Sequence, residues 1–434
     1  MLAARSQRPA VYQITDRTDS LRASQGTDPR SSGEANRILV LLVTVVGINY
    51  LDRGALSVAA PLISRELALS PARLGLLFSA FFWSYSLLQP VAGYLIDRYD
   101  AKRLLAGGYF VWSIATGSVA WAGRFDVLFQ ARLVLGAGES VAYPAFSKIL
   151  VEYFPENRRG LANSLLEAAA KIGSAVTILL GGLFIARYGW RPLFASLGVV
   201  SLLWLLPWTL WGPAAAARET RSDGGKVSLR QIIGRCEVWG TSLGLFGFGY
   251  VWSFLLSWLP TYLVSERGFT MRSVALLGSL PFWGMAAASV LGGWLSDRWI
   301  ATGTSVTRVR KTFVIGGLLL CSVTLFPAVF VHNPQLAILL LLTSCLALGL
   351  VSSNVWAITQ TFAGPKAAGR WTGIQNAIGN MGGVASPYFT GVIIEQTGSY
   401  FRAFVACSAV LLAACVAYRA LLGEIRPLNW DTNS

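Results

Sequence analysis

Three pairs of ionisable residues interrupt otherwise apolar stretches in the first half of the chain. They are Asp52 with Arg53, Arg132 with Glu139, and Glu167 with Lys171. A charge inside such a stretch is costly and is usually kept for function. A buried carboxylate can switch between charged and neutral forms, because burial disfavours its charge and a neighbouring arginine favours it. A guanidinium also holds a carboxylate through two parallel hydrogen bonds, so these residue types have the ingredients for proton coupling and for holding an acid.

Helical geometry predicts the depth of these residues. At about 1.5 Å per residue, Asp52 lies roughly 21 Å into its stretch, and Arg132 reaches a similar level from the opposite side. Glu139 is two turns below Arg132 on the same helix face. Lys171 lies about 15 Å into its own stretch, so we expect it to contact Glu139 in the unoccupied protein. Glu167 precedes Lys171 by four residues, the favourable order for an ion pair within one helix, with either a structural or a functional role.

The composition indicates a polytopic helical membrane protein. Of the 434 residues, 54% are hydrophobic and 13% are charged, whereas soluble domains average about 25% charged residues. Apolar runs of 18 or more residues, each long enough to cross a bilayer, recur along the chain. These features exclude soluble enzymes, secreted disulfide scaffolds and disordered proteins.

Several other chemistries are excluded by the cysteine, histidine and basic residues. The five cysteines have no CxxC spacing, the single histidine lies in a short turn, and no GxxxxGK[ST] motif occurs. We therefore predict no metal, no cofactor and no enzymatic activity. The net charge of +15 comes from basic residues scattered between apolar stretches, so we expect no nucleic-acid partner.

Twelve predicted membrane spans carry these residues, six on each side of a polar stretch. The spans lie near 38–60, 74–96, 104–123, 127–150, 161–186, 192–212, 238–263, 273–296, 312–331, 335–361, 371–395 and 401–422. The predicted domains are a disordered cytoplasmic tail (1–36), an N-terminal six-helix bundle (37–213), a cytoplasmic linker (214–236), a C-terminal six-helix bundle (237–423) and a cytoplasmic tail (424–434). Lysine and arginine favour the side of the two termini by roughly three to one, which predicts cytoplasmic termini.

Two pairs of similar stretches indicate an internal duplication. AGYLIDR ends span two and GGWLSDR ends span eight, while GGLFIARYGWRPLF ends span five and TGVIIEQTGSYFRAF ends span eleven. Each pair occupies the same topological position in its half. Parallel six-helix repeats are a transporter architecture, so we predict an all-α membrane protein of two pseudo-symmetric six-helix bundles.

The loop after span two resembles the conserved loop motif of the major facilitator superfamily, GxLxDRxGRR. The matching residues are Gly93, Asp97, Arg98, Lys102 and Arg103. The loop departs from the motif at Asp100 and Ala101, where the family usually has glycine and arginine. The resemblance implies the major facilitator fold and a charge cluster that helps to latch the cytoplasmic side while the outside is open.

Within that superfamily the chain resembles the anion:cation symporter family. That group includes bacterial galactonate, hexuronate, glucarate and phthalate permeases, and animal vesicular glutamate and lysosomal sialic acid carriers. The resemblance lies in INYLDRGALSVA, ARLVLGAGESVAYPAF, LLSWLPTYL and GIQNAIGNMGGVASP, in spans one, four, seven and eleven. It implies that Asp52 and Glu139 carry protons and that Arg53 binds the substrate carboxylate.

The same resemblance implies residues that contact a polyhydroxylated acid. The matching positions are Tyr85, Ser353, Trp356 and Asn376. The alternative for each is helix–helix hydrogen bonding or packing. We expect Arg132, Glu167 and Lys171 to form a supporting charge network around the site.

These observations predict a proton-coupled symporter, a monomer in a bacterial inner membrane, that imports an organic anion by alternating access. The expected substrate is a sugar acid such as a hexonate, a hexuronate or an aldarate. The open alternatives are a carrier of aromatic or other non-sugar carboxylates, an anion exchanger or exporter, and, more remotely, a membrane sensor without flux.

Overall fold

Helices make up the regular secondary structure of the described residues. The computed structural model describes residues 32–154, 156–213 and 227–430. Within these ranges the chain forms helices and no strand. Most of the predicted N-terminal tail, the linker residues 214–226 and the last four residues lie outside the described residues.

All twelve predicted spans are helical. In the first half they are Ser32–Glu66, Pro71–Arg98, Ala101–Ser118, Phe125–Glu139 with Ala142–Tyr153, Glu156–Val176 with Gly182–Tyr188, and Trp190–Trp211. In the second half they are Cys236–Ser265, Met271–Gly278 with Leu280–Ala301, Val306–Leu325, Pro334–Thr397, which contains both span ten and span eleven, and Phe401–Leu421. A short helix, Leu229–Ile233, precedes span seven. The fold predicted from the apolar runs is therefore confirmed, with span one beginning six residues earlier than expected.

Ten helices in the described part of the chain are long and apolar enough to cross a membrane. Spans four and eleven are outside this set. Span four carries Arg132 and Glu139 and is interrupted at Ser140 and Val141. Span eleven is rich in glycines and amides. The charged residues of span four and the glycines and amides of span eleven lower the mean hydropathy of these spans. A site inside the bundle would use residues of these types.

The two halves meet at the end of the bundle opposite to the linker, which we term the far end. The Ser57 hydroxyl donates to the Leu256 carbonyl at 2.5 Å, and the Ser79 hydroxyl donates to the Val384 carbonyl at 2.8 Å. Each of these hydrogen bonds joins one half to the other. The far end is therefore closed.

The halves separate toward the other end, which carries the linker and which we term the linker end. Among the described residues, the hydrogen bond between spans two and eleven that lies nearest to the linker end runs from the Asn380 amide to Gln89, at 3.3 Å. Beyond it, Gly93 and Gly373 have no neighbour within 4 Å of where a Cβ would stand. The protein is thus open toward the linker end.

Close helix contacts in the first half fix the position of the charged residues. A Cβ on Gly173 of span five would lie 2.6 Å from the Gly47 carbonyl and 3.1 Å from the Tyr50 Cβ, both on span one. A Cβ on Gly136 of span four would collide with the Phe81 carbonyl on span two. Glycine at these two positions brings spans one, two, four and five together around one interior.

Candidate functional site

A buried ion pair between spans one and four forms the centre of the site. The Arg53 Nε donates to the Glu139 Oε2 at 2.8 Å. The Glu139 side chain is fully buried, and that of Arg53 is 8% exposed. Charges removed from water are stable only when they are paired, so this contact holds the two spans in register.

Three aromatic rings surround the Arg53 guanidinium. Its Cζ lies 5.0 Å from the centre of the Tyr50 ring, 4.5 Å from that of Phe81 and 4.8 Å from that of Tyr85. Tyr85 stacks on Phe81 at 5.2 Å. Cation–π contacts of this kind stabilise a desolvated guanidinium. The sequence-predicted residue Tyr85 is therefore next to Arg53.

The Arg53–Glu139 pair keeps unused hydrogen-bonding capacity. The Arg53 Nη2, the Glu139 Oε1 and both polar atoms of the Asn49 side chain are buried without a hydrogen-bond partner among the described residues. Such groups are costly to leave unpaired. A small polar molecule that reaches the pair would find donors and acceptors in place.

Asp52 lies on a different side of span one from Arg53, because successive residues of a helix point about 100° apart. Asp52 interacts electrostatically with Glu139 and Arg132, and the Thr116 hydroxyl of span three also acts on it. Both carboxylate oxygens are buried without a hydrogen-bond partner among the described residues. Asp52 and Arg132, which the sequence places at a similar depth, thus interact through their charges without a direct hydrogen bond.

Arg132 interacts electrostatically with both carboxylates of this group. Its charge acts on both Glu139 and Asp52, and its Cζ lies 5.2 Å from the centre of the Phe81 ring. Arg132 is 6% exposed. It therefore belongs to the same buried charge network as Arg53.

Lys171 is paired within its own helix. Its Nζ lies 2.8 Å from the Glu167 Oε2 and 3.3 Å from the Glu167 backbone oxygen. The predicted i, i+4 pair is confirmed. The expected contact between Glu139 and Lys171 is wrong, because Arg53 from span one occupies the Glu139 carboxylate and Lys171 meets Glu167 one turn away.

The sequence-predicted residues of the second half lie apart from this pair. The Ser353 hydroxyl is buried without a partner among the described residues and faces Gly293 of span eight. Trp356 packs against the hydrophobic core, and Asn376 is half-buried. In the described part of the chain, no hydrogen bond or ring contact joins these three residues to Arg53.

The loop motif after span two is held within its own half. Arg98 donates to the Tyr94 hydroxyl at 2.5 Å, and the Lys102 Nζ donates to the Thr209 carbonyl at 3.2 Å. The Arg103 Nε lies 3.7 Å from the Asp100 carboxylate. Gly93 faces open space, and the side chain of Asp97 lies outside what the structure describes.

Sequence reasoning missed several polar residues around the site. Asn49 and Tyr50 precede Arg53 by one turn, and Tyr143 follows Glu139 by one turn. The charge of Arg53 acts on the Tyr143 hydroxyl. A search at i±3 and i±4 from each buried charge would have found all three.

A second polar group lies behind Asp52, between spans three and six. The Tyr109 ring is 4.5 Å from that of Trp204, and the Asp52 charge and the Ser201 hydroxyl both act on its phenol. Thr116 and Tyr109 are seven residues apart on one face of span three. In the part of the chain that the structure describes, no group of three or more histidine, cysteine or acidic residues could hold a metal ion.

Comparison with known proteins gives one consistent result. The sequence profile of the Major Facilitator Superfamily matches residues 42–387. The chain is 29% identical to the probable galactarate/D-glucarate transporter GarP of Escherichia coli K12, over 93% of this chain and 98% of that protein. It is 31% identical to the probable sulfoacetate transporter SauU of Cupriavidus necator, over 88% and 92% of the two chains.

Two further similarities complete the comparison. The chain is 28% identical to the hexuronate transporter of Bacillus subtilis 168, over 90% of this chain and 94% of that protein. Its fold matches the inward-facing, unoccupied crystal structure of a bacterial homologue of the human lysosomal transporter Spinster, with a TM-score of 0.75 and 19% identity. That match covers 91% of this chain and 99% of the other.

Proposed function

Because the chain belongs to the major facilitator superfamily, we propose that this multi-pass membrane protein is a proton-coupled symporter that imports an organic anion, a sugar acid. The family and the named relatives are transporters, so the chain is not an enzyme. The observation that carries the proposal is the Arg53–Glu139 pair, in which Glu139 is fully buried, with its unused donors and acceptors.

Competition for Arg53 links the anion to the proton. A substrate carboxylate needs the guanidinium that Glu139 holds in this conformation. When Glu139 takes up a proton, it loses its charge and releases Arg53, which then binds the substrate through two hydrogen bonds. Asp52, buried without a hydrogen-bond partner among the described residues, is the second proton site of the proposal.

The sugar hydroxyls need partners from both halves. Tyr85 is next to Arg53 and supplies an aromatic wall. Ser353, Trp356 and Asn376 lie on spans ten and eleven, and they reach the substrate when the halves close around it. Hydroxyl, amide and aromatic side chains are the usual partners of a polyhydroxylated ligand.

In this proposal the orientation rests on the basic residues, and the inward direction of transport rests on the proton gradient. We assign the linker end to the cytoplasm, since basic residues favour that side, and both termini with it. The open linker end is then the conformation that releases substrate into the cell. The loop motif from Gly93 to Arg103 latches that end in the opposite conformation, and the protein works as a monomer in the bacterial inner membrane.

The relatives support an acid as the substrate. Those named for galactarate or glucarate, for sulfoacetate and for hexuronate all carry organic acids by name. Molecules with one acid group and molecules with two are both represented. The common requirement is a cation for the acid group, which Arg53 supplies.

Uptake by the purified protein in proteoliposomes tests the proposal. From a panel of sugar acids, aromatic acids and neutral sugars, a sugar acid should accumulate when a pH gradient is imposed with the acid side outside. A protonophore should abolish this accumulation. Arg53→Lys should keep the charge and lose uptake. Flux that ignores the gradient would indicate an exchanger, accumulation of aromatic acids would change the substrate class, and no flux with any acid would overturn the proposal.

A further inference from the structure

Lys171 is a buried cation that the proposed exchange at Arg53 does not use. Its side chain is 6% exposed, whereas that of its partner Glu167 is 42% exposed. A buried ammonium with one carboxylate partner is expensive to maintain. The pair is also asymmetric, because the carboxylate can turn toward water and the ammonium cannot.

The Lys171–Glu167 pair and Arg53 are carried by two neighbouring helices, spans five and one. Span five packs on span one where Gly173 meets Gly47 and Tyr50. The Tyr50 ring is also a neighbour of the Arg53 guanidinium, at 5.0 Å.

Tyr143 of span four forms a second connection between the two pairs. The charges of Glu167 and of Arg53 both act on its hydroxyl. Tyr143, on which Tyr50 also acts, therefore connects the two ion pairs electrostatically.

We propose that Lys171 is a second anion-binding group, so that the transported molecule carries two acid groups, one held by Arg53 and the other by Lys171. This inference rests on the proposed function and deepens it. In the unoccupied protein Glu139 and Glu167 take the places of the two acid groups. A molecule with two acid groups replaces both carboxylates and leaves neither cation unpaired, whereas a monoacid leaves the Lys171–Glu167 pair intact.

Lys171 does not determine whether the second acid group is a carboxylate or a sulfonate. An ammonium is a compact charge without the planar fork of a guanidinium, so it binds a carboxylate or a sulfonate equally well. The experiment therefore compares both, each against a one-acid molecule: glucarate against gluconate, and sulfoacetate against acetate. Uptake in proteoliposomes gives KM and the maximal rate for each.

Lys171→Gln removes the proposed second cation. We expect the KM for the diacid to rise by about ten-fold or more, since a charge-assisted hydrogen bond is lost, while the KM for the matching monoacid is unchanged. Lys171→Arg should keep diacid transport. Lys311→Gln is the matched control, because Lys311 is a partly buried lysine of the second half that donates to the Leu422 carbonyl, and it should leave both KM values unchanged.

Glu167→Gln tests the same inference from the other side. If Glu167 competes with the substrate for Lys171, its neutralisation should lower the KM for the diacid several-fold and leave that for the monoacid unaltered. This readout does not depend on the folding of the Lys171 variant. A purely structural pair would give no gain in affinity.

The outcomes distinguish a failure of this inference from a failure of the proposed function. Equal losses for diacid and monoacid in Lys171→Gln, or no gain in Glu167→Gln, would overturn the second anion group and leave the symporter proposal standing. Transport of monoacids alone by the unaltered protein would do the same. No transport of any acid would overturn the proposed function itself.

Discussion

Glu139 is held by one oxygen and free at the other. Its Oε2 accepts from Arg53, while its Oε1 has no hydrogen-bond partner among the described residues. A carboxylate in this position is stable as a charge only while Arg53 remains beside it. Protonation therefore changes both its own charge and the availability of the guanidinium.

We predict that Glu139→Gln uncouples the protein. Glutamine cannot change its charge, so Arg53 stays available whatever the proton concentration. Accumulation driven by a pH gradient should be lost, while exchange of labelled for unlabelled substrate across the membrane is retained. Paired counterflow and gradient-driven uptake assays measure the two rates.

The control for this variant is Glu66→Gln at the far end of span one. Glu66 accepts from Trp190 and Arg191 and is exposed, so the loss of its charge should leave accumulation unchanged. Full gradient-driven accumulation by Glu139→Gln would remove Glu139 from the coupling sites.

The sequence predicts which residues are buried charges and how deep they lie, but not how they pair. The depth of Lys171 and its i, i+4 pairing with Glu167 follow from the rise and the period of a helix. The partner of Glu139 does not, because the rotation of each helix depends on contacts such as that of Gly173 with span one. If span one were rotated by one residue position, about 100°, Asp52 instead of Arg53 would face Glu139 of span four.

At the scale of elements, spans ten and eleven are joined without a loop. Regular helix continues from Pro334 to Thr397 except at Gly364, whose φ of 56° lies in the left-handed region. Only glycine adopts this conformation at no cost. Gly364 thus turns the chain from one span into the next within a single residue.

We predict that Gly364→Ala destabilises the protein by about 1 kcal/mol through backbone strain alone. No atom lies within 4 Å of the position that the new Cβ would take, so no collision contributes. Thermal unfolding in detergent, followed by tryptophan fluorescence, measures the shift in Tm.

Gly316→Ala in span nine provides the comparison. Gly316 is helical and equally free of neighbours, so alanine there should hold or raise the Tm. An equal loss of stability in both variants would mean that the turn at Gly364 is not strained by a side chain.

The apolar runs predict the number and order of the spans but not their irregularities. Span four breaks at Ser140 and Val141, and Thr177–Gly181 forms a π-helical turn in span five. Pro144 is a sequence signal for the first feature, because it has no N–H to donate to the Ser140 carbonyl. No such signal marks the π-helical turn. The predicted spans are right in position, and the π-helical turn is visible only in the packed bundle.

At the scale of the whole molecule, glycine contacts close the far end. A Cβ on Gly75 of span two would collide with the Pro387 carbonyl, and a Cβ on Gly391 of span eleven would collide with that of Pro71. The backbones of the two halves therefore touch directly. No side chain therefore fits at these two glycine positions.

We predict that Gly75→Val shifts the protein toward the conformation with an open far end. The new side chain meets a backbone carbonyl that cannot turn aside, so the closed conformation loses stability and the population moves to the other. A cysteine at Ser57, which is 2% exposed in this structure, should then react several-fold faster with a membrane-impermeant thiol reagent added outside.

The assay needs a background without Cys236, the exposed cysteine of the chain. Gly107→Val in span three is the control, because nothing lies within 4 Å of a Cβ there. Unchanged reactivity of the Ser57 cysteine in Gly75→Val would contradict the role of this contact in closing the far end.

The internal duplication predicts two bundles, but it does not predict which end is open. Alternating access requires one sequence to support two conformations of similar free energy, so neither is encoded in preference to the other. The repeats AGYLIDR and GGWLSDR are compatible with both. Only contacts such as Asn380 with Gln89 identify the conformation described above.

The buried ion pairs of the first half have a further consequence, in the response of the transport cycle to voltage. The charges at mid-depth are positive on Arg53, Arg132 and Lys171 and negative on Asp52, Glu139 and Glu167. When all six are charged, they sum to zero. Each net charge that crosses the membrane field changes the energy by about 2.3 kcal/mol per 100 mV, and zero net charge changes it by nothing. In the proposed cycle, an empty carrier with all six groups charged would therefore return at a rate that voltage does not alter. The membrane potential would act on the loaded carrier only through the net charge of its substrate and protons.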